Sequence, residues 1–322
     1  MKIAVTGGAG FIGTVLMEKL LSEGHEAFWL DIRSSETYPD KGENVDVTHQ
    51  EALTYALKGV DAVYHLAAEH RDDVRPIQKY YDVNVGGAKC LVQACKDNGI
   101  HTIIFTSTVA VYGLDAGESS EESTPAPFND YGTSKLESEA VFEEWAREDT
   151  ARKLVTLRLV ATFGPNNRGN VYTLMDQIAR GRFIMIGNGE NRKSVAYVGN
   201  VAAFLAHTLS FGPGIQLYNY ADKPDLTMRD MVADIRSSMG MQGLGPVLPY
   251  GLGLAGGAVF DGLAKVTGRN FPISMIRVKK FCASTIVRAD KIEGTGFKRP
   301  YTLSHGLQEM ARVDFPAQVK AA

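Results

Sequence analysis

Tyr131 and Lys135, in the stretch YGTSKLESE, share one face if the segment is helical, because side chains four residues apart lie one above the other. A lysine ammonium beside a phenol favours the phenolate, so this tyrosine can serve as a base near neutral pH. The chain has 13 tyrosines, and no other has lysine four residues later. Upstream, IIFTSTVAVYG carries Thr106, Ser107 and Thr108 at the end of an apolar run. A hydroxyl there can share a hydrogen bond with a substrate oxygen that loses or gains a proton. Taken singly, each reads first as a hydroxyl that satisfies backbone groups at a strand end.

Such residues need a frame, and the first 31 residues describe one. VTGGAGFIGTVLMEKLLSEGHEAFWLD reads as strand, tight turn, helix and strand, with Gly7, Gly10 and Gly13 in the turn. Gly7 makes the sharp exit from the strand, Gly10 has no Cβ to block a pyrophosphate, and Gly13 allows close packing of helix on sheet. Backbone N–H groups at the start of the helix Phe11 to Glu23 then face the anion. Asp31, eighteen residues after Gly13, ends the second strand, where a carboxylate accepts hydrogen bonds from an adenosine ribose. That carboxylate repels a 2′-phosphate and favours NAD over NADP, with Arg33 pulling the other way.

Strand-like and helix-like runs alternate further along: Asp61 to Ala68, a helix near Tyr80 to Asn98, His101 to Thr108, a helix from Asp130 to Arg147, and Leu154 to Val160. The series predicts an α/β fold, a Rossmann-like doubly wound parallel sheet, with ligands bound beyond the carboxyl ends of the strands. After FGPNNRGN the pattern loosens, which predicts a Rossmann domain over 1–165 and a smaller C-terminal α/β substrate lobe over 166–322. The strand-like IQLYNYA, and Thr227 with Asp230 as a capping signal, return part of the chain near 195–225 to the sheet.

A net charge of -3 and the lack of a basic run argue against nucleic acid as a partner. Cys90, Cys95 and Cys282 have neither CxxC nor zinc-ligand spacing, so they read as small buried hydrophobes, and no metal site is expected. MKIAV passes directly into the first strand, so no signal peptide is expected and the protein reads as cytosolic. The apolar segment Val247 to Ala264 is broken by Pro249, five glycines and Asp261. It reads as loop and helix of the second lobe, with shallow contact to a membrane surface or lipid chain as the second reading.

Together the glycine turn, Asp31, the hydroxyl strand end and YxxxK resemble the extended short-chain dehydrogenase/reductase family, particularly its nucleotide-sugar epimerases and dehydratases. TGGAGFIG, HLAA (His65 to Ala68), FTSTVAVYG, YGTSK, LRLVATFGP and GNGENRKSVAYVGNVA carry the resemblance over essentially the whole chain. It implies a catalytic Thr108, a base in Tyr131 and a ribose-positioning Lys135. It further implies an NAD site at Gly7, Gly10, Phe11, Ile12, Gly13, Asp31, Asp46, Val47, Leu66, Ala67 and Ala68, with Tyr131 and Lys135, and Asp46 near the adenine. Homodimers that pair through a bundle including Asp130 to Arg147 are common in such a family.

Dehydratases of this family carry an Asp-Glu pair after the catalytic threonine, where this chain has Val109 and Ala110, so epimerisation through a transient 4-keto sugar fits better. LAAEHRDDVRP, NRGNVYTLMDQIA, YNYADKPDL and IRVKKFCAST are similar to bacterial 4-epimerases that interconvert N-acetylglucosamine and N-acetylgalactosamine on undecaprenyl diphosphate in O-antigen assembly. That similarity implies a diphosphate-linked sugar substrate, on undecaprenol or UDP, and a role for the apolar segment at a membrane or polyprenyl chain on the cytoplasmic face. Ala161 stands where such enzymes often have asparagine, and Lys193 where they have arginine, which leaves uridine recognition open. Arg168, Arg192 and Lys193 are the candidates for the diphosphate, against a reading as solvated charges. The alternatives are a net NAD(P)-dependent dehydrogenase or ketoreductase and, from another class, a non-catalytic NAD-binding scaffold.

Overall fold

Short aliphatic runs set the frame. In a computed structural model, which describes residues 1–71, 73–113, 118–267 and 274–320, β1 (Lys2–Thr6) leads through a glycine turn into α1 (Phe11–Ser22), β2 (Glu26–Asp31) and β3 (Gly42–Asn44). There follow α2 (Gln50–Ala56), β4 (Ala62–His65), α3 (Gly87–Asp97), β5 (Thr102–Thr108), α4 (Asp130–Arg147) and β6 (Lys153–Leu159). A later part of the chain adds α5 (Val198–His207) and β7 (Gly214–Tyr220). The seven strands pair in parallel in the order β7-β6-β5-β4-β1-β2-β3. β4 and β6 are buried throughout, as expected of strands with helices on both faces. On one face Leu91, Ala94 and Cys95 of α3 and Phe142 and Trp145 of α4 pack against Ala4, Leu30, Val63, Ile103 and Phe105.

The chain divides into two units: Met1–Thr162, Val198–Ala221 and Val287–Pro300 form the first, and Phe163–Tyr197, Asp222–Ile286 and Tyr301–Ala322 the second. The return of 287–300 to the first unit has no counterpart in the expected division at 165. In the second unit, helices Asn170–Ala179, Met228–Ser238 and Leu303–Asp314 pack together. The Thr227 hydroxyl accepts from Asp230 N (3.0 Å) and donates to its Oδ2 (2.7 Å), so Thr227 caps the helix Met228–Ser238 where the sequence signals it. Val247–Leu248 forms a short strand and Tyr250–Thr267 a helix. No helix among the described residues is long and apolar enough to cross a membrane.

A row of polar residues crosses the sheet. Register sets Ser107 of β5 beside Arg158 of β6, and Arg158 beside Asn219 of β7. Arg158 reaches Glu139 of α4 with two hydrogen bonds of 3.0 and 2.6 Å, and the Ser107 hydroxyl donates to the same carboxylate at 2.5 Å. Arg158 Nη1 also donates to the Tyr112 hydroxyl (2.8 Å), which donates to Asn219 (2.7 Å). All five residues are buried, so each charge has lost its water and depends on the other for compensation.

His65 is another buried ionisable group on the sheet, 1% exposed, with Nδ1 2.7 Å from the Thr6 hydroxyl and its ring against Phe105 and Phe142. Burial, aided by the nearby Lys135 charge, lowers its pKa from 6.5 to about 3.

Two outcomes follow for stability. Glu139→Gln or Arg158→Met alone should each cost about 3–5 kcal/mol in urea unfolding by stranding a buried charge, whereas the double substitution should cost clearly less than the sum. For His65, the unfolded chain takes up a proton near pH 6.5 that the folded chain refuses until about 3, so stability falls as pH falls through that window. Between pH 6.5 and 5 wild type should lose up to about 1.4 kcal/mol per unit more than His65→Asn. Equal slopes for the two proteins would mean that His65 is charged in the fold.

Candidate active site

The strand order reverses between β1 and β4, the place where open parallel sheets bind ligands. Gly7 leaves β1 at φ +71°, and a Cβ on it would lie 2.6 Å from Ala67 N, so any side chain would push apart the ends of β1 and β4. Gly10 N closes the turn on Gly7 O at 3.0 Å. A Cβ on Gly10 would have only Gly7 O, at 3.1 Å, within 4 Å, so the space before it is open. Gly10 caps α1 without a side-chain hydrogen bond, and helix geometry leaves the Phe11 and Ile12 N–H groups to an anion. Gly13 differs from expectation in what it packs on: its Cβ would meet Gly7 O at 2.3 Å and Gly8 Cα at 2.6 Å, so it seats the helix on the turn itself. Gly8, unremarked in the sequence reading, is confined by the Trp29 Cβ at 2.6 Å.

Asp31 ends β2 with Oδ2 accepting from Ala9 N (3.2 Å) and Oδ1 from Arg33 N (3.1 Å), which holds its carboxylate at the rim of the glycine turn. Leu66 N donates to Thr6 O at 2.9 Å, and Leu66, Ala67 and Ala68 continue from β4 half-buried beside that turn. Asp46 spends Oδ1 on the N–H and hydroxyl of Thr48, at 2.9 and 2.8 Å. Burial opposes its charge, but those hydrogen bonds and His49 outweigh it and lower the pKa. Val47 is buried where Gly87 admits it: a Cβ on Gly87 would lie 2.9 Å from Val47 Cγ2.

The three strand-end hydroxyls have different fates. Thr106 donates to His65 O (3.3 Å) and Ser107 to Glu139, both buried. Thr108 is half-buried, and its Oγ1 accepts from Ala110 N at 3.2 Å, which leaves the hydroxyl proton for an outside acceptor. Residues Val109–Tyr112 then form a single 3-10 turn. α4 begins against that turn: Asn129 Oδ1 accepts from Gly132 N at 2.8 Å, and a Cβ on Gly132 would be 2.8 Å from Ala110 O. Tyr131, half-buried with its ring 6.4 Å from that of Tyr80, is thereby brought to the carboxyl end of β5.

One turn on, Lys135 is 2% exposed, with Nζ 4.1 Å from the centre of the Phe105 ring. Burial lowers its pKa to about 7, while the Glu139 carboxylate, a further turn along the same face, raises it. The face Tyr131, Lys135, Glu139 therefore carries a phenol, a buried amine and a carboxylate that favours the charged form of that amine.

Sequence reasoning missed Glu139 and Arg158, and also Asn84. The Asn84 side chain accepts from Glu69 N (2.9 Å) and donates to Glu69 O (3.1 Å) and Ser134 Oγ (2.9 Å), tying the segment after β4 to α4. Glu69 itself holds Arg71 and Lys79, and hydrogen bonds from Arg71 above all lower its pKa to about 2.

The proposed anion-binding cations lie in the second unit and are not brought together. Lys193 donates to Ala283 O (2.5 Å), Lys280 O (3.1 Å) and Thr285 Oγ1 (3.3 Å), so all three ammonium protons have protein acceptors. Arg192 is exposed and touches Asp225 O at 3.4 Å, and Arg168 lies over the Tyr172 ring, 3.5 Å from Asp314. The same unit has a cleft of about 730 Å³ lined in part by Ile186, Gly187, Asn188, Tyr250, Lys279 and Cys282. Cys282 and Cys90 are half-buried, where full burial was expected, whereas Cys95 is buried.

Residues 3–220 match the model of the NAD dependent epimerase/dehydratase family. The chain belongs to this family. An N-acetyl-alpha-D-glucosaminyl-diphospho-ditrans,octacis-undecaprenol 4-epimerase from Escherichia coli O157:H7 is 45% identical over 315 residues, 97% of this chain and 95% of that one. A 2-alkyl-3-oxoalkanoate reductase from Stenotrophomonas maltophilia is 30% identical over 267 residues, 74% of this chain and 76% of that one. In fold the chain is similar to a UDP-N-acetylglucosamine 4-epimerase from Bacillus cereus (TM-score 0.76, 22% identity, 96% of this chain and 95% of that one). It is likewise similar to a UDP-glucuronic acid 4-epimerase from Bacillus cereus in complex with NAD (TM-score 0.75, 22% identity, 99% of each chain).

NAD is the cofactor of this family, and the glycine cradle and the Asp31 carboxylate fit its pyrophosphate and ribose. Asp31→Ala should weaken NAD about tenfold to a hundredfold, the loss of charge-assisted hydrogen bonds to a ribose, and narrow the preference over NADP. NAD retained on the purified protein, and titration of both dinucleotides, measure this. Unchanged retention would place the ribose elsewhere.

Proposed function

We propose that the chain is a 4-epimerase of a sugar carried on a diphosphate, and that the carrier is a polyprenol, with N-acetylglucosamine and N-acetylgalactosamine as the two epimers. The observation that carries this reading is the assembly of Thr108, Tyr131 and Lys135 at the carboxyl end of β5, in a chain 45% identical to an undecaprenyl-diphosphate-linked N-acetylglucosamine 4-epimerase. Val109 and Ala110, in the turn after Thr108, offer no carboxylate for eliminating water, which supports epimerisation over dehydration.

Each of the three residues has a defined task. The Tyr131 phenolate removes the proton of the sugar 4-hydroxyl, and Thr108 shares a hydrogen bond with the same oxygen. Lys135, cationic beside Tyr131, favours the phenolate and positions the nicotinamide ribose. When bound, NAD would supply the hydride acceptor and donor for C4. Once the 4-keto sugar has rotated so that C4 presents its opposite face to the cofactor site, Tyr131 gives its proton back to the C4 oxygen. Net redox change is zero, so no coenzyme is consumed.

Tyr131→Phe should lower turnover by at least a thousandfold, within the range in which a positioned acid-base group acts, yet leave NAD retention intact. The test is incubation with polyprenyl diphospho-N-acetylglucosamine and, separately, UDP-N-acetylglucosamine, without added NAD, followed by resolution of the epimers. Conversion of the lipid-linked sugar alone supports the polyprenol carrier, and conversion of the UDP-sugar alone overturns it. Conversion of neither, with steady consumption of NADH on a ketone, would favour the reductase reading that the Stenotrophomonas relative represents.

A further inference from the structure

In the second unit, the helix Tyr250–Thr267 buries two glycines, half-buries Leu254 and Phe260, and leaves three large aliphatic residues exposed. Gly253 and Gly257 are buried in its inner face: a Cβ on the first would lie 2.6 Å from Ile186 Cγ2, and on the second 2.7 Å from Met275 N. A larger residue at 257 would force the helix away from the backbone at Ser274 and Met275, and one at 253 would press on the Ile186 side chain. Leu252, Ala255, Val259 and Leu263 point outward at spacings of three and four residues, with Leu252 60%, Val259 62% and Leu263 44% exposed. They form one aliphatic stripe down a helix, the reverse of the usual soluble pattern. Between Tyr250 and Leu263 the sole charged residue is Asp261, and it turns inward, its Oδ2 accepting from Met275 N at 3.0 Å.

The neighbouring helix Met275–Cys282 adds Ile276, 58% exposed, and exposed Arg277, Lys279 and Lys280, with no acidic residue. Three cations gathered there contrast with the net charge of -3 of the whole chain. Tyr250 and Lys279, one from each helix, also line the 730 Å³ cleft.

We propose that these two helices form a docking surface for an anionic lipid bilayer, with the aliphatic stripe entering the acyl boundary and the basic residues meeting the headgroups. Aliphatic stripe and basic flank together are the composition that lies in a membrane interface without spanning it. A protein partner fits less well, because the exposed stripe from Leu252 to Leu263 is aliphatic and lacks the Trp, Tyr and Arg anchors that concentrate binding energy at protein interfaces. This surface gives the polyprenol carrier of the preceding section a reason: the substrate's lipid end would stay in the bilayer while the protein rests on it.

Flotation of the full chain with vesicles of phosphatidylcholine plus phosphatidylglycerol, compared with phosphatidylcholine alone, tests the surface without needing any substrate. The protein should float with the anionic vesicles, less so as salt rises. Leu252→Glu/Val259→Glu should lower the bound fraction about tenfold or more, with melting temperature, retained NAD and conversion of a water-soluble short-prenyl diphospho-sugar unchanged. Arg277→Gln/Lys280→Gln should weaken binding to anionic vesicles while flattening its salt dependence. Failure of wild type to float overturns the proposal, whatever the substrate. So does flotation that persists in the double-glutamate variant, or a stripe that proves to join two copies, seen as wild-type dimers that the glutamates split and that ignore vesicles. If wild type floats but epimerises no lipid-linked sugar, the surface stands and the substrate reading falls.

Discussion

The pairing of Arg158 with Glu139 decides how α4 lies on the sheet. A helix can roll on a flat apolar surface at little cost, but two short hydrogen bonds from a strand residue fix one rotation. With Glu139 held on β6 and drawn to β5 by Ser107, the residues four and eight positions earlier, Lys135 and Tyr131, are turned to the same side. A buried ion pair of this kind contributes little net stability, since the water lost by each charge roughly offsets their attraction. Its value here is geometric: Tyr131 and Lys135 keep one bearing relative to β5.

The same pairing shapes the electrostatics. Burial outweighs the Glu139 carboxylate and brings Lys135 down to about 7, so without that anion burial would drive the lysine further towards its neutral form. His65 is kept neutral nearby, so a second cation does not join Lys135 beneath the site. The Phe105 ring accepts the lysine ammonium on one side and stacks on His65. An aromatic at that position of β5 therefore serves a cation and a neutral imidazole at once. Of the three strand-end hydroxyls, Thr106 and Ser107 are committed to His65 and Glu139, and Thr108 is not.

What could be read from the sequence was local. Gly7, Gly10 and Gly13 declare a turn because a few residues decide its backbone, and Tyr131 with Lys135 declares a shared face because helix geometry fixes it. Asp130 to Arg147 was legible as a helix, and its N-cap, Asn129, sits just before it. Arg158 and Glu139 lie nineteen residues apart in sequence, and only strand register and the packing of α4 show that they meet. Lys193 shows the opposite failure: residue type and motif position favoured an anion, yet acceptors ninety residues away, near Ala283, take its protons. Asp46 likewise turned to its own Thr48, a two-residue contact that competes with any ligand for the carboxylate. Donor and acceptor capacity is settled by what folds back, which composition and motif do not carry.

The helix Tyr250–Thr267 shows how a violated pattern can be informative. Fully burying a leucine or valine stabilises a fold by about 1.5–3 kcal/mol, and here two of them, with Leu263, are left outside while glycines take the inner places. Glycine within a helix adds a further cost of roughly 1 kcal/mol each relative to alanine. A sequence under selection for stability of this unit alone would reverse the two faces. Gly257 allows close approach to Met275–Cys282, and that approach sets an aliphatic stripe beside exposed basic side chains. The arrangement is costly in water, and that cost would be recovered where acyl chains lie beside anionic headgroups.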